Sequence, residues 1–229
     1  MVTSSATGSS SPKAPPPSPA AAHRGQPAAA RRRHPLLHPA AKVLLFVLCL
    51  LPLAWYVFGV VTYQLGANPA EAVIRGLGDW TLRLLWITLA VTPVRQWAGV
   101  PALARFRRML GLFTFFYASL HLVAYALLDM QLDLPEILRD IAKRPFILMG
   151  FVAWLLLLPL ALTSFNRAIK ALGAKRWQWL HRLVYVIAVV GLMHFIWMRA
   201  GKNNFAEPAV YGAILAVLLG WRLWKRFRA

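Results

Sequence analysis

The chain has 229 residues, with 26 Lys and Arg against 7 Asp and Glu, a formal net charge of +19 and a mean hydropathy of +0.55. So large a cationic excess ordinarily marks a nucleic-acid binder. A soluble binding domain does not also carry ten Trp and several uncharged apolar runs of membrane length, so the expected partner is membrane lipid and no nucleic acid. The single cysteine, Cys49, excludes within this chain a disulfide, a thiolate zinc cage, an iron–sulfur cluster and covalent c-type haem attachment.

Residues 1–42 are rich in Ser, Pro and Ala, with "SSSPKAPPPSPAAA" followed by "ARRRHPLLHPAAK". Such a stretch buries too little apolar surface to offset its chain entropy and reads as a disordered cytoplasmic tail. It does not read as a secretory signal, because the basic region is too long and the apolar run after it has spanning length. The residues after Arg31, Arg32 and Arg33 do not fit a twin-arginine export signal.

Six segments of helix-in-bilayer length follow, at 43–61, about 80–94, 109–128, 145–165, about 177–198 and 208–224. The first, third and fourth contain no Asp, Glu, Lys or Arg, and the sixth requires Arg222 to snorkel toward the surface. The expected fold is an all-α integral membrane protein, a six-helix bundle spanning 43–225, with 226–229 a basic C-terminal end. Pro52, Pro93 and Pro159 are expected to kink or end their helices. Most of the Trp fall near span ends and read as interfacial anchors.

Charge orients the bundle. Eighteen Lys and Arg fall in the tail, the 2–3 and 4–5 connections and the C-terminus, and six fall in the other three loops. Both termini are therefore expected in the cytoplasm. All seven acids fall on the opposite side, which leaves the outer face close to neutral.

Ionisable groups inside a bilayer are costly and mark function. His23, His34 and His38 lie in the tail, whereas His121, His181 and His194 lie in spans three and five, which both run from inside to outside. At a rise of about 1.5 Å per residue, His121 sits roughly 12 Å and His194 roughly 8 Å from the outer end, with His181 about 20 Å deeper than His194. Two imidazoles at similar depth on neighbouring helices can clamp one haem iron, although interhelical hydrogen bonding is the commoner task of a lone buried His. On one continuous helix His181 and His194 stand roughly 140° apart, so the His121/His194 pair is the stronger candidate. Trp197, Met193 and Met198 are secondary candidates for the same pocket, against ordinary anchoring and packing roles.

The stretches "RRMLGLFTFFYASLHLVAYALL", "KRPFILMGFVAWLLLLPLALTS" and "LGAKRWQWLHRLVYVIAVVGLMHFIW" resemble the MsrQ (YedZ) family, haem-binding membrane subunits of the bacterial periplasmic protein-methionine-sulfoxide reductase system, within the ferric-reductase-like transmembrane domains. The resemblance covers about residues 42–225, including the histidine separations of 60 and 13. It implies haem b, one or two, on His121, His181 and His194, in the bacterial inner membrane. It further implies electrons from the quinol pool or a cytosolic flavin reductase, passed to a periplasmic molybdopterin-containing catalytic subunit that repairs oxidised envelope proteins. Relatives with two haems carry a second histidine about 14 positions before the equivalent of His121, where this chain has Arg107. Arg107, Arg108 and Arg176 are candidates for a haem propionate or the phosphate of a flavin such as FMN, against the plain positive-inside bias. The outer loops offer no nucleophile with its base, and the inner loops no dinucleotide fingerprint, so substrate catalysis is expected on a partner. Two rivals stay open: direct reduction of ferric iron or oxygen, and a haem-free, proton-coupled carrier.

Overall fold

The computed structural model of the protein describes residues 35–200 and 205–228. Most of the expected tail, with His23 and His34, lies outside them. Every regular element among the described residues is helical.

Helix α1 (Pro39–Val61) opens where the His38 side chain accepts from the Ala40 N–H at 3.2 Å, so the apolar helix begins four residues before the expected boundary. Helix α2 (Pro69–Trp97) starts on a reciprocal cap: Asn68 accepts from the Glu71 N–H at 3.1 Å and donates to the Glu71 carboxylate at 3.2 Å. A 3₁₀ stretch, Pro101–Phe106, leads into α3 (Arg107–Ala124), which ends in one π-helical turn, Tyr125–Asp129. Then come the short amphipathic α4 (Leu134–Lys143), capped by Asp133, and α5 (Pro145–Leu162). Helices α6 (Asn166–Leu172) and α7 (Ala174–His181) precede α8 (Leu183–Ala200) and α9 (Ala206–Phe227).

Among the described residues, five helical stretches are long and apolar enough to cross a membrane: Pro39–Val61, Pro101–Asp129, Pro145–Leu162, Ala174–Ala200 and Ala206–Phe227. The chain is thus a multi-pass membrane protein. Helix α2, which holds the expected second span, is outside that set because it carries Glu71, Arg75, Asp79, Arg83 and Arg95. Its position explains the composition. Packed against α1, α3, α8 and α9, it buries Leu82, Leu85, Trp86 and Leu89 in one core cluster and Leu77 and Leu84 in another. Three of its charged side chains have protein partners: Arg75 pairs with Glu71, and Arg83 donates to the Tyr211 hydroxyl of α9 at 3.0 Å.

The tightest helix pairs are α2 with α3 and α5 with α8, and α3 against α5 joins them. Two mid-span Trp find acceptors inside the bundle. Trp86 donates its indole N–H to the Tyr211 carbonyl at 2.9 Å, and Trp154 donates to the Ser119 hydroxyl at 3.0 Å, because an indole N–H inside a bundle needs an acceptor on a neighbouring helix. Arg222, expected to snorkel outward, turns its guanidinium onto the carbonyls of Leu218 (3.0 Å) and Leu89 (2.6 Å), tying α9 to α2.

Helix α1 is held at its proline. Pro52 has no N–H to give to Leu48, and one residue further on the fully buried Tyr117 hydroxyl bridges the helix backbone. It donates to the Cys49 carbonyl at 2.7 Å and accepts from the Leu53 N–H at 3.1 Å. Tyr117→Phe is expected to cost about 1 kcal/mol, since those two backbone groups can partly re-pair. A lowered thermal midpoint in detergent checks it, and an unchanged midpoint counts against the bridge.

Candidate cofactor-binding site

His121 sits on α3 and His194 on α8, one histidine from each of the two tight helix pairs, and the other helix of each pair holds the ring. His121 donates from Nδ1 to the Ile74 carbonyl of α2 at 2.8 Å, and His194 donates from Nδ1 to the Phe146 carbonyl of α5 at 2.6 Å. A carbonyl only accepts, so Nδ1 carries the proton in both rings and the neutral imidazole keeps its lone pair on Nε2. No hydrogen bond engages either Nε2 among the described residues.

Four residues after each carbonyl comes a glycine. A Cβ on Gly78 would lie 3.1 Å from the His121 ring, and one on Gly150 would lie 2.9 Å from the His194 ring. The missing side chain makes the ring's slot. With the carbonyl below and the bare glycine behind, each imidazole is set in orientation and tautomer by backbone alone.

The two rings face each other with centroids 6.1 Å apart and planes at 72°. Both line a cavity of about 510 Å³ between the helix pairs, within the range of ligand pockets. Its interior is apolar, with Leu85, Ala118, Leu157 and Ile187, and Trp154 and Met198 also contribute. Its rim is charged: Glu71, Arg75, Asp79, Asp129 and Arg144.

The remaining expected site residues lie elsewhere. His181 stacks on Trp177 at 4.0 Å, and its Nε2 is 3.1 Å from the Thr163 hydroxyl. That hydroxyl donates to the Pro159 carbonyl at 2.6 Å, so it accepts from His181. A turn at Arg182 separates α7 from α8 within the helical stretch Ala174–Ala200. Arg107, Arg108 and Arg176 are exposed and do not line the cavity; Arg108 donates to Asn166 at 2.8 Å. Trp197 and Met193 do not line it either, whereas Met198 does. Sequence reasoning missed Arg75, Arg144, Gly78 and Gly150. The glycines had a signal, because a lone Gly inside an apolar helix marks a close approach.

Residues 77–192 match the family described as "Ferric reductase like transmembrane component", a stretch that takes in His121 and His181 and stops just short of His194. The chain is 65% identical over 192 residues to the "Protein-methionine-sulfoxide reductase heme-binding subunit MsrQ" of Polaromonas naphthalenivorans, covering 84% of this chain and 88% of the relative. Proteins of the same description from Ralstonia nicotianae and Xanthomonas axonopodis pv. citri are 51% identical (82% and 87% covered) and 46% identical (83% and 88% covered). No solved structure matches significantly.

Gly150→Ala is expected to push the His194 ring off the Phe146 carbonyl and to cost about 1–3 kcal/mol in overpacking. Nitrogen-15 NMR of histidine-labelled protein reads the loss of the Nδ1–H signal. Gly220→Ala, which meets open space, should leave it unchanged.

Proposed function

We propose, from the premise that this chain belongs to the MsrQ family and carries its ferric-reductase-like transmembrane component, that it binds haem and carries electrons across the membrane for a methionine sulfoxide reductase system. One observation carries the reading: two imidazoles with a common tautomer face each other at 6.1 Å across an apolar cavity.

The donor set fits haem better than a bare ion. Two nitrogens fall short of the four ligands of a closed metal site, and no cluster of three or more His, Cys, Asp or Glu suited to a metal occurs among the described residues. A facing pair of imidazoles on neighbouring helices is a donor set that would suit a haem held within a helical bundle. His121 and His194 would hold such a haem b, which supplies one-electron redox chemistry when bound. The chain's own residues do the rest. The Ile74 and Phe146 carbonyls keep both Nε2 lone pairs available and fix the rings, as outer hydrogen-bond partners of metal-bound histidines do. Leu85, Leu157 and Ile187 keep water from the interior.

The wider assignment follows the family. Residues 43–225 form the haem-binding domain with six spans, α2 supplying the second, between a cytoplasmic tail of 1–42 and the basic end 226–229, in the bacterial inner membrane with both termini inside. Quinol or a cytosolic flavin reductase donates, and a periplasmic molybdopterin-containing subunit receives and repairs oxidised envelope proteins. A second haem on His181, or FMN, with Arg107, Arg108 and Arg176 on the inner side, stays part of this assignment; as a haem ligand through Nε2, His181 would exchange its bond to Thr163 for the iron.

His121→Ala and His194→Ala are each expected to abolish the low-spin haem spectrum of the purified protein. Unchanged spectra in both end the pairing, and a haem-sufficient wild type without a Soret band favours the proton-coupled carrier. Reduced protein should be reoxidised by the periplasmic subunit with methionine sulfoxide. Equal reoxidation by ferric iron or oxygen alone would favour the direct reductase.

A further inference from the structure

The cavity has a built-in polarity that the imidazole pair does not use. Arg75 follows Ile74, whose carbonyl holds His121, and Arg144 precedes Phe146, whose carbonyl holds His194. Each wall therefore repeats one arrangement, with a guanidinium at the rim, a carbonyl on the imidazole and a glycine behind it. Both arginines line the cavity, at the end away from its apolar interior.

Neither guanidinium is loose. Arg75 pairs with Glu71 one turn back on α2. Arg144 gives its Nε–H to Asp140 at 2.8 Å, and the Tyr125 hydroxyl, also at the cavity, donates to the other oxygen of the same carboxylate at 2.7 Å. Asp140 is only 6% exposed, so both of its oxygens are committed and it acts as a post for Arg144. An arginine presents five N–H donors in a rigid fork, and engaging Nε leaves the terminal amino groups of Arg144 for a second carboxylate.

We propose, resting on the haem reading above, that Arg75 and Arg144 are the carboxylate-binding pair of this cavity, each receiving one acidic side group of the tetrapyrrole, and that Asp140 is the positioning residue for Arg144. The cofactor then enters with its apolar edge toward Leu85 and Leu157 and its acidic edge at the charged rim. The inner-face arginines Arg107, Arg108 and Arg176 have no part in holding this haem.

The test uses the full chain purified with its haem, measuring haem transfer to apomyoglobin and the midpoint potential by spectroelectrochemistry. R75Q and R144Q should each speed haem loss about tenfold, the effect of one lost charge-assisted hydrogen bond. Both should shift the potential downward, because a positive charge near the metal favours the form with the extra electron. R75K and R144K retain the charge, so their potentials should stay near wild type while haem loss is intermediate. They also serve if the glutamine variants fail to fold. D140N should speed haem loss alone but add nothing in the R144Q background, a coupling that general destabilisation would not produce. R139Q, at the exposed pair with Glu136, should leave both readouts unchanged. A haem-replete wild type whose R75Q and R144Q variants keep its haem-loss rate and potential overturns this assignment alone, as does transfer of both effects to R107Q or R108Q. A wild type that purifies without a Soret band removes the haem reading and this proposal with it.

Discussion

Two hydrogen bonds from imidazole to backbone carbonyl, His121 to Ile74 and His194 to Phe146, set the terms for the rest of the molecule. A helix carbonyl in apolar surroundings already serves its own i+4 N–H, and it reaches a neighbour's side chain only if the neighbour comes close. Gly78 and Gly150 allow that approach, each one turn after the carbonyl concerned. The close pairing of α2 with α3 and of α5 with α8 is the large-scale form of the same requirement. The cavity is the space left where the two pairs meet.

The arrangement also resolves why a membrane protein keeps so charged a helix near its centre. Helix α2 would be an unfavourable lipid-facing span, with five charged side chains from Glu71 to Arg95. Packed against α1, α3, α8 and α9, it gives several of its charges places in the site and in the packing: Arg75 and Asp79 line the cavity, and Arg83 bonds Tyr211. The lipid-facing work falls to helices such as α1, whose Val43, Leu44, Trp55 and Val61 are exposed along its length. Cost and function are thereby separated, with apolar helices outside and a polar-bearing helix within.

Much of the fold was legible from composition. An uncharged apolar run must satisfy its backbone internally and so becomes a helix, and the runs at 43–61, 109–128 and 145–165 did so with shifts of a few residues at their ends. Less legible were features that depend on a neighbour. The break at Arg182 leaves an apolar pattern uninterrupted, so periodicity carried no sign of it. Trp86 and Trp154 are donors inside the bundle because Tyr211 and Ser119 stand opposite them, which their own positions in the sequence do not reveal.

The sequence by itself determined that this chain is a helical, multi-pass membrane protein and that His121 and His194 are the histidines to watch, because ionisable side chains in apolar runs are too costly to be incidental. Tertiary structure decided how those histidines are held, which glycines make room for them and which arginines stand at the rim. The partners of the two rings lie 47 and 48 residues away in the chain and are backbone carbonyls. Every residue carries the same carbonyl, so no residue letter can mark the one that an imidazole will meet. Only the packing of one helix against another selects it.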